Sequence, residues 1–360
     1  MRINFVLPRS TNTPIGGYKI VLQYADFLTT KYSDDVHVYF VINAKKWSVQ
    51  GLRAKISGLT WKRRIYRQID WITVSSNVKM HFDVFPEDIE KFDDAEFGKV
   101  IATHWSTAEI VANTKIPSKN KFYFIQHFEV FDPNATRDQV ENTWKLGLHN
   151  IVIADWLKKI GDHLEVATSY VPNFVDIGES PIRSFESSFR NRVTILWHEN
   201  PVKQTGLGLE LLEKLHDLYP SLKMTVFGAH ISGDLPKYVE AFSGLNTKQI
   251  SEQILSQTLL YIMTSREEGW GLTAMEAMAS GAPVISVDNG GINEFAENEK
   301  SALIVPNSFE SLMLAADRVL GSVELQKRLS MEGNRVVQRF SLSASGSAFR
   351  EALIGDLDEE

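Results

Sequence analysis

A strand, a glycine loop, a helix and a second strand follow one another between residues 259 and 287, and this order restricts the fold most strongly. The apolar run Leu259–Thr264 predicts a buried strand, and two glycines after it allow a tight turn into a helix that begins near Leu272. The helix ends before Gly281, and the apolar run Pro283–Val287 predicts the next strand. Such a βαβ unit belongs to a parallel sheet, and open α/β sheets bind ligands at the carboxyl ends of their strands.

Two carboxylates lie eight residues apart in this unit, Glu268 in the loop and Glu276 on the helix. The first amides of the helix, at Leu272 and Thr273, suit a diphosphate, because they have no acceptor within the helix and lie at the positive end of its dipole. A carboxylate one turn further along can accept hydrogen bonds from sugar hydroxyls. Structural alternatives are that Glu268 caps the helix and that Glu276 faces solvent.

The string EGWGLTAMEAMASGAPVI begins at Glu268, and DNGG and a further glutamate, Glu294, follow it. It resembles the signature of the retaining glycosyltransferases of family four, which have a GT-B fold. The resemblance implies an α/β protein of two Rossmann-like, doubly wound domains that face each other across a cleft, where a nucleotide-diphosphate sugar binds. It assigns Glu268 to the sugar ring and Glu276 to the ribose. The residues that it assigns to donor binding are Gly16, Gly17, Glu268, Gly269, Gly271, Leu272, Thr273 and Glu276.

Strands and helices alternate along the rest of the chain, as in parallel doubly wound sheets. The other predicted strands are Ile3–Leu7, His37–Ile42, Lys79–Val84, Val100–Thr103, Lys121–Ile125, Ile151–Ala154, Val193–Trp197, Lys223–Phe227 and Ala302–Val305. The other predicted helices begin near Tyr18 and cover 207–218, 236–242, 247–256, 308–320, 323–339 and 343–353.

A polar segment at 177–192, with glycine, proline and four serines, predicts an interdomain linker. We therefore expect two domains, over residues 1–176 and 177–342, and the resemblance implies that the first binds the acceptor and the second the nucleotide sugar. The resemblance implies that a C-terminal helix, at about 343–356, packs back on the first domain.

Polar residues follow several predicted strands of the first domain. Gly16 and Gly17 close the first loop, where a glycine pair permits close approach of a phosphate and where the family has a glycine loop. His127 follows the strand that ends at Ile125, and the resemblance assigns it to the transferred sugar. His104 and Trp105 follow another strand and are assigned to the acceptor side. A lone histidine can also be structural.

The sequence departs from the family after the first strand of the second domain. Family members have an arginine and then a lysine there, and these bind the donor diphosphate. Here Asn200 and Thr205 occupy the two positions, and Lys203 and His198 lie beside them. A cation at this point stabilises charge that develops on a leaving diphosphate. We expect Lys203 to act there as a point charge, without the bidentate geometry of arginine.

Composition excludes several classes of function. The net charge of −7 argues against general nucleic-acid binding. The chain has no cysteine, which excludes disulfides, thiolate metal sites and a cysteine nucleophile. No apolar run approaches 18 residues, the length that would predict a transmembrane helix. These features predict a cytoplasmic protein.

Eight Lys and Arg residues, and no Asp or Glu, lie between Asn43 and Ile69, interleaved with tryptophans and isoleucines. This pattern suits the surface of an anionic membrane, and it would place the protein at the inner face of the plasma membrane. It equally fits a helical hairpin whose basic side is solvated and whose apolar side packs on the domain.

The resemblance implies a nucleotide-sugar-dependent hexosyltransferase, acting with retention on a carbohydrate or lipid-linked glycan in bacterial surface polysaccharide synthesis. The resemblance implies no metal and no cofactor besides the sugar-nucleotide substrate. The residues expected to be catalytic are His127, Lys203 and Glu268. The absent arginine and lysine favour an alternative, a non-catalytic glycosyltransferase-like subunit that binds sugar or supports a catalytic partner. A GT-B epimerase or phosphorylase is a third hypothesis.

Overall fold

A computed structural model describes residues 1–10, 13–42, 69–93, 98–185 and 189–355. The chain divides into two compact units, Met1–Pro172 with Leu342–Glu360, and Asn173–Ser341. Each unit contains a parallel sheet flanked by helices, so the predicted α/β class with two Rossmann-like domains is confirmed. The division falls after Pro172, whereas the sequence placed the boundary after Asp176. In the described residues, no helix is both long and apolar enough to cross a bilayer.

The described part of the first unit contains a seven-stranded sheet in the order β3-β2-β1-β4-β5-β6-β7. Its elements are β1 (Arg2–Pro8), α1 (Gly16–Tyr32), β2 (Asp35–Val41), β3 (Lys79–Val84), α2 (Pro86–Ile89), β4 (Lys99–Ala102), α3 (Trp105–Ala112), β5 (Lys121–Ile125), α4 (Arg137–Trp144), β6 (His149–Val152), α5 (Asp155–His163) and β7 (Thr168–Tyr170). The strand order reverses between β1 and β4, so the loops after these strands diverge to opposite faces and leave a crevice.

The described part of the second unit contains a six-stranded sheet in the order β10-β9-β8-β11-β12-β13. Its elements are β8 (Arg192–Leu196), α6 (Thr205–Leu218), β9 (Lys223–Gly228), β10 (Val239–Ser243), α7 (Thr247–Gln253), β11 (Thr258–Met263), α8 (Leu272–Ala279), β12 (Val284–Val287), β13 (Leu303–Val305), α9 (Phe309–Leu320) and α10 (Val323–Val337). The central strands are apolar and buried on both faces, as parallel strands between helical layers must be. Here the order reverses between β8 and β11.

The last helix, α11 (Leu342–Ile354), packs on α1 and belongs to the first unit. The ring of Phe349 stacks on Tyr24 at 4.6 Å between centroids, and Arg350 Nε donates to Asp34 Oδ2 at 2.9 Å. Gly346 allows the close approach, since a Cβ there would collide with the ring of Phe27.

Two sequence predictions about elements need correction, and one short strand was missed. The helix expected at 236–242 is wrong, because β10 occupies Val239–Ser243 and pairs with β9 at the sheet edge. Helix α1 begins at Gly16, so the two glycines form its first turn and not a loop before it. The short strand β7 was not predicted. The basic segment lies outside the described residues except for its last residue, Ile69.

Candidate active site

The loops after β8 and β11 meet at the point where the second sheet reverses its strand order. The first loop contains a 3₁₀ turn, Pro201–Lys203, whose start is capped by the Asn200 side chain. The backbone amide of Arg266 donates to Val202 O at 2.8 Å, and Thr264 Oγ1 donates to Lys203 O at 2.9 Å. These bonds fix the position of Lys203 relative to the second loop.

Lys203 and Glu268 form an ion pair at this point. Lys203 Nζ donates to Glu268 Oε1 at 2.7 Å, and both side chains are largely buried. The amide of Glu268 donates to Asn289 O at 3.0 Å, which ties it to the loop after β12 as well. The structure therefore brings together two residues predicted from separate motifs, and three loops hold them in place.

Helix α8 begins directly beside this pair. Its N-cap is Gly271, whose φ of +100° is a left-handed conformation that favours glycine, and no side chain caps the helix. The alternative that Glu268 caps this helix is therefore wrong. The first amides, at Leu272 and Thr273, have no acceptor within the helix. The Thr273 hydroxyl accepts from Tyr261 OH at 2.8 Å, which fixes the first turn on the sheet.

Glu276 lies one turn into α8 and is 7% exposed, so the alternative that it is a solvent-facing residue is wrong. A carboxylate is rarely buried to this degree without a structural or functional reason. The preceding Gly269–Trp270 segment is held by close packing, because a Cβ on Gly291 would lie 2.7 Å from Trp270 backbone atoms. The Trp270 ring also stacks on Phe295, at 5.7 Å between centroids.

Asn200 and Thr205, which replace the family's arginine and lysine, bind the backbone of their own loop. Thr205 Oγ1 donates to His198 O at 2.7 Å and accepts from His198 N at 2.9 Å. His198 stays neutral near pH 7, because burial first and then the charge of Lys203 lower its pKa. Among the candidates of this loop, Lys203 is thus the one that brings a positive charge to Glu268.

The first sheet has a comparable junction, where the loops after β1 and β4 diverge. Gly16 and Gly17 begin α1, and Gln126 Nε2 donates to Gly17 O at 3.1 Å. A Cβ on Gly17 would lie 3.3 Å from that nitrogen, so glycine allows the end of β5 to approach the helix. Thr103, directly after β4, donates through Oγ1 to Val6 O of β1 at 3.0 Å, which ties the start of its loop to the neighbouring strand.

A buried acidic network that the sequence analysis missed surrounds His104 and Trp105. Glu129 Oε2 accepts from Trp105 N at 2.7 Å and from Tyr123 OH at 3.4 Å. Asp132 Oδ2 accepts from Trp105 Nε1 at 2.9 Å. His104 Nε2 lies 3.5 Å from Glu129 Oε1 and 3.9 Å from Asp132 Oδ2. Glu129 follows a predicted strand at the ligand-binding edge, and that position was the available signal.

Burial sets the protonation of this network. Burial raises the pKa of Glu129 to about 8, although the hydrogen bond from Trp105 opposes the shift. Burial lowers the pKa of His104 to about 4, against the attraction of Asp132. Burial raises the pKa of Asp132, but hydrogen bonds from Asn134 and Trp105 outweigh it and the net shift is downward. Near pH 7, Glu129 and His104 are therefore neutral, and the charge lies on Asp132.

His127 contacts two aromatic rings in the segments that follow β5 and β6. Its ring meets Phe131 at 4.7 Å and Trp156 at 5.5 Å between centroids, both nearly perpendicular. His127 Nδ1 lies 3.1 Å from Phe128 O. Since a carbonyl oxygen only accepts, Nδ1 carries the proton and the Nε2 of the neutral ring is an acceptor. The binding roles of His127 and of the other site residues stay predictions.

Comparisons with known proteins identify a glycosyltransferase domain in the second unit. The family model for glycosyl transferases group 1 matches residues 200–336, which include Lys203, Glu268 and Glu276. The D-inositol 3-phosphate glycosyltransferase of Jonesia denitrificans is 38% identical over 80 residues, or 22% of this chain. The match spans 19% of that relative's length.

Solved glycosyltransferase structures match almost the whole chain. Sucrose-phosphate synthase from Thermosynechococcus elongatus has a TM-score of 0.72 and 14% identity, covering 97% of both chains. Anabaena HepE, solved with UDP and glucose, has a TM-score of 0.69 and 12% identity, covering 98% of this chain and 100% of its own. At such identities the likeness establishes the fold. That fold is GT-B, and within it residues 200–336 are similar to the glycosyl transferases group 1 domain.

Proposed function

We propose that this protein transfers a hexosyl group from a nucleotide-diphosphate sugar, with retention of configuration, to a carbohydrate or lipid-linked glycan acceptor. The observation that carries the proposal is the Lys203–Glu268 ion pair at the strand-order reversal of the second sheet, beside the N-terminus of α8. We propose UDP as the nucleotide, because UDP is bound in the related Anabaena structure.

The donor diphosphate suits the positive groups of this site. Lys203 supplies a full charge, and the amides of Leu272 and Thr273 supply donors at the positive end of the α8 dipole. In the unliganded protein, the Lys203 ammonium group donates a hydrogen bond to the Glu268 carboxylate. When the diphosphate binds, its oxygens compete for the ammonium group, which leaves Glu268 to accept from sugar hydroxyls. Glu276 would accept from the ribose.

In the transfer step, negative charge develops on the departing diphosphate. The bond between C1 of the sugar and the β-phosphate oxygen breaks, and the acceptor oxygen bonds to C1 on the same face. The acceptor proton passes to the departing phosphate oxygen, so the step needs neither Glu268 nor His127 as nucleophile. Lys203 stabilises the departing charge. His127 contacts the transferred sugar, and His104 and Trp105 lie toward the acceptor.

We further propose that the reaction requires no metal and belongs to bacterial surface polysaccharide synthesis. The first part rests on Lys203 and the α8 amides, which supply positive character where a metal would otherwise act. Transfer should then continue after treatment with EDTA. The second part rests on the resemblance of the sequence signature.

Thermal unfolding with UDP, UDP-glucose, UDP-N-acetylglucosamine, GDP-mannose and dTDP-glucose tests the donor site. A ligand at 100 times its Kd should stabilise the protein by about 2.7 kcal/mol. We expect stabilisation by the UDP ligands, loss of it in Glu276→Ala, and no loss in Glu267→Gln. Glu267 is the matched control, because it neighbours Glu268 but its side chain is exposed.

The same variants separate catalysis from the non-catalytic alternative, which the missing arginine and lysine favour. Release of UDP from UDP-glucose, measured with and without a glycan mixture, should depend on Glu276. Donor binding without any release, and unchanged activity of a partner complex containing Glu276→Ala, would support the non-catalytic subunit.

A further inference from the structure

Phe131 is a large apolar side chain that is 42% exposed. The residues before and after it in the chain are held by hydrogen bonds. On one side, Glu129 accepts from the Trp105 amide at 2.7 Å. On the other, Asp132 accepts from Trp105 Nε1 and, through Oδ1, from the Asn134 amide, both at 2.9 Å. The exposed ring therefore sits on a fixed loop, and its position is part of the fold.

The ring is one of a pair. His127 contacts Phe131 at 4.7 Å with an interplanar angle of 85°, and Trp156 at 5.5 Å with an angle of 76°. Phe131 follows β5, whereas Trp156 lies in the first turn of α5, directly after β6. These strands are paired neighbours, with Ile125 opposite Val152, so both rings lie at the ligand-binding edge of the first sheet.

A ligand that fits this surface needs an apolar face and polar groups at its rim. The π face of an aromatic ring is negative, and it attracts the weakly positive C–H groups on one face of a pyranose. The His127 imidazole contacts both rings, and Asp132, whose carboxylate is charged near pH 7, follows Phe131 in the chain. The imidazole is a polar group that can bind a hydroxyl at the rim of the same sugar. A wholly apolar ligand could not form hydrogen bonds with these polar groups.

We propose that Phe131 and Trp156, which both contact His127, form a stacking site for a pyranose ring. The proposal rests on the proposed glycosyl transfer and names residues that select its sugar. The ring belongs either to the donor or to the acceptor, since both present the same C–H face.

The test compares Phe131→Ala with Phe131→Trp, which keeps an aromatic face. Phe189→Ala is the matched control, because Phe189 is a 72% exposed phenylalanine of the second unit. Saturation-transfer NMR with methyl α-glycosides of glucose, galactose, mannose and N-acetylglucosamine, with and without UDP, reports an acceptor ring. Calorimetric affinities for UDP-glucose, UDP-N-acetylglucosamine and UDP report a donor ring.

We expect Phe131→Ala to weaken either the affinity for a glycoside or the affinity for a UDP-sugar about 3- to 10-fold. Phe131→Trp and Phe189→Ala should retain the wild-type affinity. A loss in the glycoside arm assigns the site to the acceptor, and a lower ratio of UDP-sugar to UDP affinity assigns it to the donor sugar. Unchanged values in both arms, or a wild-type protein that binds no glycoside and no UDP-sugar better than UDP, would overturn the stacking site. Failure of the proposed function is distinct, because it would show as absent binding of UDP itself.

Discussion

Lys203 Nζ lies 2.7 Å from Glu268 Oε1, and this bond joins the loops that follow two neighbouring strands of the second sheet. The residues are 65 positions apart in the chain. We propose that the same lysine takes the place of the arginine and lysine that the sequence signature leads one to expect. It binds Glu268 in this structure, and we expect it to bind the diphosphate when the donor is present.

Lys203→Met should lower kcat by about 100- to 1000-fold, the range found when a donor to a developing oxyanion is removed. It should also lower the free energy of unfolding by about 1.5–3 kcal/mol, because Glu268 keeps its buried charge without its partner. Steady-state kinetics and urea unfolding measure the two effects. In a double-mutant cycle, Lys203→Met with Glu268→Gln should recover part of the stability but none of the activity. Additive losses of stability would contradict a direct pair.

Gly271→Ala should destabilise the protein by about 1–2 kcal/mol, because the left-handed φ of +100° is unfavourable for a residue with a Cβ. The start of α8 should shift, so donor affinity should fall together with stability. Gly206→Ala is the control, since it lies in the first turn of α6 with no atom within 4 Å of its Cβ position and no positive φ. Thermal unfolding of both variants checks the prediction, and equal effects would refute it.

Glu129 should make stability decrease as the pH rises toward about 8. Its pKa is raised to about 8 from an ordinary value of 4.5, so between these values the folded state binds the extra proton and stability falls with rising pH. The lowered pKa of His104, about 4 against 6.5, acts in the opposite direction, but only below pH 6.5. The window from pH 6.5 to 8 therefore isolates Glu129.

In this window, wild-type protein should lose about 1–2 kcal/mol more stability than Glu129→Gln, which cannot ionise. The other titratable groups facing Glu129 are Tyr18, Tyr123, His104 and Asp132, and they remain in the variant. Urea unfolding at half-unit intervals of pH measures the difference. Parallel profiles for the two proteins would show that Glu129 is already ionised at neutral pH.

The basic segment of residues 43–69 should bind anionic vesicles if its membrane interpretation is correct. Replacing Lys62, Arg63 and Arg64 with glutamine should weaken sedimentation with phosphatidylserine vesicles about 100-fold, at about 1 kcal/mol for each charge near the surface. Raising the salt concentration should have the same effect on the wild type. The control neutralises three exposed charges of the second unit, Lys214, Lys327 and Arg328. Equal sedimentation with neutral and anionic vesicles would favour the helical hairpin.

Residues that act within one βαβ unit could be found from the sequence. The glycine loop, the start of α8 at Leu272 and the two carboxylates are encoded within a short stretch, because turn chemistry and helical phase are local properties. The prediction of a helix at 236–242 was wrong, because the local sequence pattern there does not distinguish a helix from a strand. The half-buried edge strand Val239–Ser243 is short, and its pairing with β9 decides its conformation.

The contacts between charged and polar side chains of different loops depend on the order of the strands in each sheet. Lys203 reaches Glu268 because β8 lies beside β11, and Glu129 reaches Trp105 because β4 lies beside β5. The sequence determined candidate groups for the chemistry, such as Lys203 and Glu268 in loops that follow strands and Glu276 on a helix, but not Glu129. Only the tertiary structure decided which of them meet and which are buried, since both depend on pairing between segments far apart in the chain. Burial in turn fixes whether Glu129 and His104 carry charge.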